Sequence, residues 1–367
     1  MNSKTKPWIV GLIMILLTFS NEVTPIYSQS NSPLSQVTWQ PVYYPVLPPP
    51  RYGSSITLNP INKVILMFGG NSSYPNWNMN DLWMTNGRQW MEFMTPNSPP
   101  GRISASMVYD EERQVAVLFG GYANNPKSTL YFNDTWIFNG VDWLLQEALT
   151  PAPMPREGAS MVYDPEQKET FLFGGGYTTE KEAFKLNDMW VRDTSGWQEI
   201  SLTSKPKPRS DAPMVYDQAH HNMLLFGGNT IAAPLQDTWI WDGNGWTEQH
   251  PLHSPTFSFH SPTMAYDPIR KQVIMVGQHY AASPEDVDHT ETWAWDGQDW
   301  TEWLPAQPLP EDKIGDGRLV YVPELQTVVM ISYVVIKPDD PDQPAYREWE
   351  IWALLDQKVI FLPIVSR

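Results

Sequence analysis

The chain has 367 residues, 41% apolar and 13% aromatic, enough to bury the core of one repeat domain or of two average domains. A formal charge of −17 gives it no overall field for nucleic acid or for an anionic membrane surface. It has no cysteine, which excludes disulfides, thiolate metal sites, cysteine nucleophiles and anchoring through a lipidated cysteine.

The first residues read as an export signal. Lys4 and Lys6 precede a twelve-residue, mostly apolar run from Trp8 to Phe19, and polar Ser20-Asn21-Glu22 follows. That run fits a signal-peptide core and falls short of the ~18 apolar residues of a spanning helix. The reading is a signal peptide over 1–28, cleaved near Ser28 or Ser30, and a linker over 29–36. The alternative is an uncleaved N-terminal anchor, the one form that would bring the chain to a membrane. Either way the body works outside the cytoplasm, secreted or at the cell surface.

A Pro-rich lead-in containing Val37-Thr38-Trp39 comes next, and then one unit repeats. Its clearest copy runs from Arg209 to Trp246. The unit opens with an arginine at Arg51, Arg102, Arg156 and Arg209, at spacings of 51, 54 and 53 residues. A short run then ends in Tyr109-Asp110, Tyr163-Asp164, Tyr216-Asp217 and Tyr266-Asp267. A second apolar run closes on a glycine doublet at Gly69-Gly70, Gly120-Gly121, Gly174-Gly175 and Gly227-Gly228; copy five keeps only Gly277. An acidic-x-Trp element follows in all six copies, at Asp81, Asp134, Asp188, Asp237, Glu291 and Glu350. A second tryptophan stands seven residues after the first, at Trp90, Trp143, Trp197, Trp246 and Trp300.

Each copy yields four strand candidates, A to D. In copy two these are Ile103–Tyr109, Gln114–Phe119, Thr135–Phe138 and Trp143–Gln146. The A–B link is a polar turn, and the C–D link Asn139-Gly140 has hairpin chemistry. A period of roughly 50 residues with a double glycine is the signature of kelch-type propeller blades. The sequence resembles the kelch-repeat family, which includes the central domain of galactose oxidase and many interaction modules. The resemblance covers about residues 37–352 and implies an all-β, six-bladed propeller of four-stranded antiparallel blades.

Copy six lacks the second tryptophan, while Trp39 precedes Arg51 by the same 12 residues that separate Trp90 from Arg102. Val37-Thr38-Trp39-Gln40 therefore reads as an orphan D strand that completes blade six and closes the ring, removing an exposed edge. The tail, 353–367, is strand-like as well. It is read as an extra strand, with displacement of the N-terminal strand as the alternative.

In such blades the B–C and D–A connections share one face, and they are the long ones. Loops on a rigid scaffold are where binding usually resides. The candidate ligand-binding residues are Tyr74, Trp77, Tyr122, Tyr177 and Tyr280 on those loops, which also carry Tyr131, with Arg51, Arg102, Arg156 and Arg209 around the channel mouth. The aromatics stack on sugars, anchor a partner protein or simply pack locally. The four arginines either hold an acidic ligand by bidentate hydrogen bonds or tie the blades together, and recurrence in every early blade favours the tie.

No nucleophile elbow, P-loop, HExxH or dinucleotide fingerprint is present, and no cofactor or metal is expected. The scattered histidines match no known ligand spacing. Lacking cysteine, the chain cannot form the Tyr–Cys radical centre of galactose oxidase, so the resemblance implies scaffold rather than oxidase chemistry. The expected function is an exported module that binds a protein or glycan through the B–C and D–A face. The reading leans away from an enzyme but leaves one alternative open, an epimerase or hydrolase acting on an acidic sugar.

Overall fold

A computed structural model describes residues 37–72, 77–125, 128–147, 151–193, 196–257, 262–279, 288–310, 317–336 and 346–356. The leader, the linker and the tail from 357 onward lie outside the described residues, as do Tyr74 and Tyr280 and the side chain of Trp77.

Six four-stranded antiparallel sheets follow one another, and no helix occurs among the described residues. In copy two, strand A is Ser106–Asp110, B is Val115–Phe119, C is Thr135–Phe138 and D is Trp143–Gln146. The A–B turns reverse through a left-handed residue at the same place in every blade, from Lys63 and Gln114 to Gln326. In four blades the buried aspartate at the end of strand A accepts turn amides, as Asp164 does from Glu166 and Gln167.

Blade six takes its first three strands from Arg318–Val322, Thr327–Ile336 and Tyr346–Asp356, and its fourth from Val37–Pro41. Thr38 faces Leu355 and Trp39 faces Leu354 in that pairing. The N-terminal strand thus closes the ring.

The tryptophan on each D strand is the main interblade wedge. Trp90, Trp143, Trp197, Trp246, Trp300 and Trp39 are all buried. Phe68, Phe119, Phe173 and Phe226 on B strands meet the next blade's tryptophan at ring-centroid distances of 5.1–5.6 Å. Trp197 and Trp300 donate their indole N–H to Thr135 and Thr238 of the preceding blade, at 2.9 and 3.0 Å. Trp39 donates to Thr292 in the same way at 3.0 Å, so the orphan strand carries the same interblade bond as a regular one.

The B–C connections are not loops of irregular chain. Past the glycine doublet the B and C strands resume pairing as a hairpin arm: Tyr122–Asn125 with Ser128–Tyr131 in blade two, and Gly176–Thr178 with Ala183–Lys185 in blade three. In blade four the strands run on to Asn229 and Pro234 through a bulge between Phe226 and Gly228. The D–A segment pairs with these arms through single bridges, Tyr52 to Asn71, Ile103 to Tyr122, Glu157 to Gly176 and Ser210 to Asn229. These bridges put the B–C arms and the D–A segments on one face.

Candidate functional site

The four repeated arginines occupy one environment, each 1% exposed. Arg102 is representative. Its Nε donates to Pro100 O at 3.0 Å and its Nη1 to Gly120 O at 2.9 Å. Two further bonds reach Asp134, from Nη1 at 2.6 Å and from Nη2 at 2.9 Å. Arg51, Arg156 and Arg209 repeat the arrangement with Asp81, Asp188 and Asp237. The same carboxylates accept the indole N–H of Trp83, Trp136, Trp190 and Trp239 at 2.7–2.8 Å. The acidic-x-Trp element is therefore one hydrogen-bonded unit, and the arginine fixes it to strand B.

The arginine backbone faces the other way. Arg102 O accepts from Gly70 N of blade one at 2.8 Å, Arg156 O from Gly121 and Arg209 O from Gly175. Each of these arginines ties its own blade by the side chain and the preceding blade by the main chain. The structure thus supplies the geometry of the blade-tying reading, with all four guanidiniums engaged inside the ring. Burial alone would raise the carboxyls of Asp134, Asp188 and Asp237. The hydrogen bonds and charge of the arginines, with the indoles, hold them below the ordinary carboxylate value.

Blades five and six lack that arginine. In blade five the buried Glu291 still accepts from Trp293, at 2.6 Å, but faces His279 at 3.7 Å and His289 at 3.5 Å. In blade six Glu350 accepts from Trp352 at 3.1 Å. Phe259 and Ile314, which fall in the arginine register of these two blades, lie outside the described residues, as does the neighbouring His260; nearby Arg318 begins strand A of blade six. Among the described residues no group of three metal-ligating side chains is arranged to hold an ion.

Of the aromatic candidates, Tyr122 and Tyr177 sit on the arms of blades two and three. Tyr122 lies 5.9 Å from Tyr131, Tyr131 lies 6.4 Å from Tyr177, and Tyr177 stacks on Phe184 at 4.9 Å. The four rings form a ladder that crosses from one blade to the next, and each is at least partly exposed. Phe184 is the most exposed of the four, Leu130 is exposed on the same strand as Tyr131, and Ile231 is exposed at the tip of the next arm. Nearer the channel, Glu157 lies beside Asp211, Lys185 and Ser210. Burial first, then the charge of Asp211, pushes its carboxyl up to about 7 against the pull of Lys185. Lys185 donates to Ser210, and Ser210 donates to Asp211 at 2.6 Å.

Comparison with known proteins decides the family. A model of the Attractin/LZTR1 β-propeller matches residues 23–230, more than half of the chain. The chain belongs to the Attractin/LZTR1 β-propeller family. As a member of this kelch-type family it shares its fold with the structure of YjhT, at a TM-score of 0.58 and 14% identity, over 83% of this chain and 99% of that one. It is similar to the dynein alpha chain of the flagellar outer arm of Chlamydomonas reinhardtii, 27% identical over 58% of this chain and 5% of that protein. It is also similar to tip elongation aberrant protein 3 of Schizosaccharomyces pombe, 26% identical over 41% of this chain and 16% of that protein. The chain thus matches only a small part of the length of these relatives, and its own propeller is of a kind suited to protein interaction.

Proposed function

We propose that this chain is an exported module that binds a partner protein through the face made by the B–C arms and D–A segments, centred on blades two and three. The observation that carries the reading is the ladder of Tyr122, Tyr131, Tyr177 and Phe184, which two adjacent arms present side by side. Rigid, half-exposed aromatic side chains cost little entropy to immobilise and form the anchors of protein interfaces. A protein suits the surface better than a sugar because Leu130 and Ile231 add exposed apolar area on the arms beside the rings. The arginines that an acidic sugar would need are engaged with Asp81, Asp134, Asp188 and Asp237. Relatives that carry a similar segment within much longer chains are consistent with a binding module.

Replacing Tyr131 and Phe184 together with alanine tests the site. The expected result is unchanged thermal stability with roughly thirtyfold weaker capture of a partner protein from the medium of producing cells, the loss of about 2 kcal/mol typical of a hot spot. Undiminished capture by the folded double variant would sink the proposed face. Export rests on the leader pattern, and N-terminal sequencing of the protein from the medium checks it: a start near Ser28 or Ser30 is expected, and a start at Met1 rules out cleavage.

A further inference from the structure

The outer edge of each blade is its D strand, and edges of sheets are places where foreign strands add. Two positions after the D-strand tryptophan, four blades place a glutamate, Glu92, Glu199, Glu248 and Glu302, and blade six places Pro41. Both residue types are standard guards against edge pairing. Blade two places Leu145 there, next to Leu144, and the two are 57% and 50% exposed. Nothing about the core demands this, because Leu145 pairs across to Trp136 as Glu92 pairs to Trp83.

The facing wall is apolar too. Trp143 packs into the core between blades one and two, so Leu145, two residues on, points to the same side. Phe93 of blade one packs on Phe138 of blade two at 5.6 Å, so Met91, two residues before it, points toward blade two. The rim cleft between blades one and two is thus walled by Met91 and Leu145, both exposed. By the same register the other five clefts pair Leu144 with Glu199, Gln198 with Glu248, Thr247 with Glu302, Thr301 with Pro41, and Gln40 with Glu92. Every one of those has at least one polar wall.

The molecule also shows what such an edge accepts. In blade six the outer strand already takes backbone bonds from this same chain, at a bend in the connection from blade five, with Trp39 N donating to Gln307 O at 3.0 Å and Ala306 N to Val37 O at 2.9 Å. Among the described residues no backbone bond of that kind reaches Leu144 or Leu145. Exposed Glu147 directly follows this strand and exposed Glu199 faces Leu144 across the next cleft, while Arg192, the cation beside them, is buried, with Nε and Nη2 donating to Gln146 and Nη1 lying 3.5 Å from Asp110.

We infer that the outer strand of blade two, Trp143–Gln146, is a second docking edge, which takes an extended segment of a partner protein by backbone pairing. The segment seats an apolar side chain between Met91 and Leu145 and carries lysine or arginine on its flanks, opposite Glu147 and Glu199. This edge is separate from the arm face and does not depend on it.

The test is fluorescence anisotropy of the full chain with a labelled acetyl-KKVTVTVKK-amide peptide. Two control peptides accompany it, one of equal charge, acetyl-KKGSGSGKK-amide, and one with alternate backbone nitrogens of the first methylated. Saturable binding of the first peptide is expected, at least tenfold tighter than either control. Leu145→Glu, which installs the residue that four other blades already carry, is expected to weaken it at least tenfold, and Tyr131→Ala is expected to leave it unchanged. Absence of saturable binding to the folded chain, equal binding of either control, or full binding by Leu145→Glu would each overturn the inference.

Discussion

The arginine–aspartate pair is the residue on which stability turns. A guanidinium buried to 1% exposure is held by two carbonyls and one carboxylate, and removing either partner strands the other. Breaking such a buried pair typically costs about 3–5 kcal/mol. The aspartates remain partly open to solvent, so the lower end of that range applies. Arg102→Met and Asp134→Asn are each expected to lower the urea-unfolding free energy by about 3 kcal/mol at pH 7, with a coupling of at least about 1.5 kcal/mol in the double-mutant cycle. Additive losses would show that the two side chains act independently. The pH dependence has a fixed sign. Asp134 is held below its ordinary value in the folded state, so its contribution is complete above the unfolded carboxylate value of about 4 and is lost as pH falls through the folded value. The deficit of Arg102→Met should therefore shrink toward pH 2. Recurrence of the arginine was visible in the sequence, and so was the kind of partner a blade tie needs, an aspartate or a backbone carbonyl; which aspartate was not, because Asp134 lies 32 residues away and meets it only once strands B and C have paired.

At the scale of the element, the glycine doublet and the arms explain each other. Gly120 has φ +69°, and a Cβ on it would lie 2.6 Å from Arg156 O of the next blade. Gly121 follows at φ +87° and donates to that same carbonyl. The doublet thus interrupts the strand pair and brings two blades into main-chain contact, after which strands B and C resume as an arm. Gly140, in a C–D turn, also has positive φ but nothing within 4 Å of its Cβ position. Gly140→Ala is expected to cost only the ~1 kcal/mol of a left-handed alanine, and Gly120→Ala at least about 3 kcal/mol because the adjacent carbonyl must move as well. Equal losses in thermal unfolding would refute the close-contact explanation. Strands A to D of copy two were legible within three residues, and strands C and D to the residue. The arms were not legible. The doublet reads as the end of a strand, and Tyr122 to Tyr131 shows no long alternation to betray a second pairing. Three rings of the ladder, Tyr122, Tyr131 and Tyr177, stand on connections the sequence picks out, but nothing in their spacing shows that Tyr131 joins the other two across a blade boundary or that Phe184 completes the set.

At the scale of the whole molecule, ring closure was legible from one misplaced residue. Trp39 stands the same distance ahead of Arg51 as Trp90 does ahead of Arg102, and in the structure its indole makes the interblade bond to Thr292 that this position implies. Closure leaves a rigid wheel with two unlike faces. One carries short polar turns; the other carries the arms and the D–A segments bridged to them. We propose the arm face as the binding face. The most direct measurement is photo-crosslinking of the full chain carrying benzoylphenylalanine in place of Leu130 on an arm, compared with the same group in place of Asn244 in a C–D turn. Both positions are exposed, so intrinsic reactivity is matched. The expected result is a crosslinked partner protein from Leu130 and none from Asn244; crosslinking from Asn244 alone, or equally from both, would contradict the assignment.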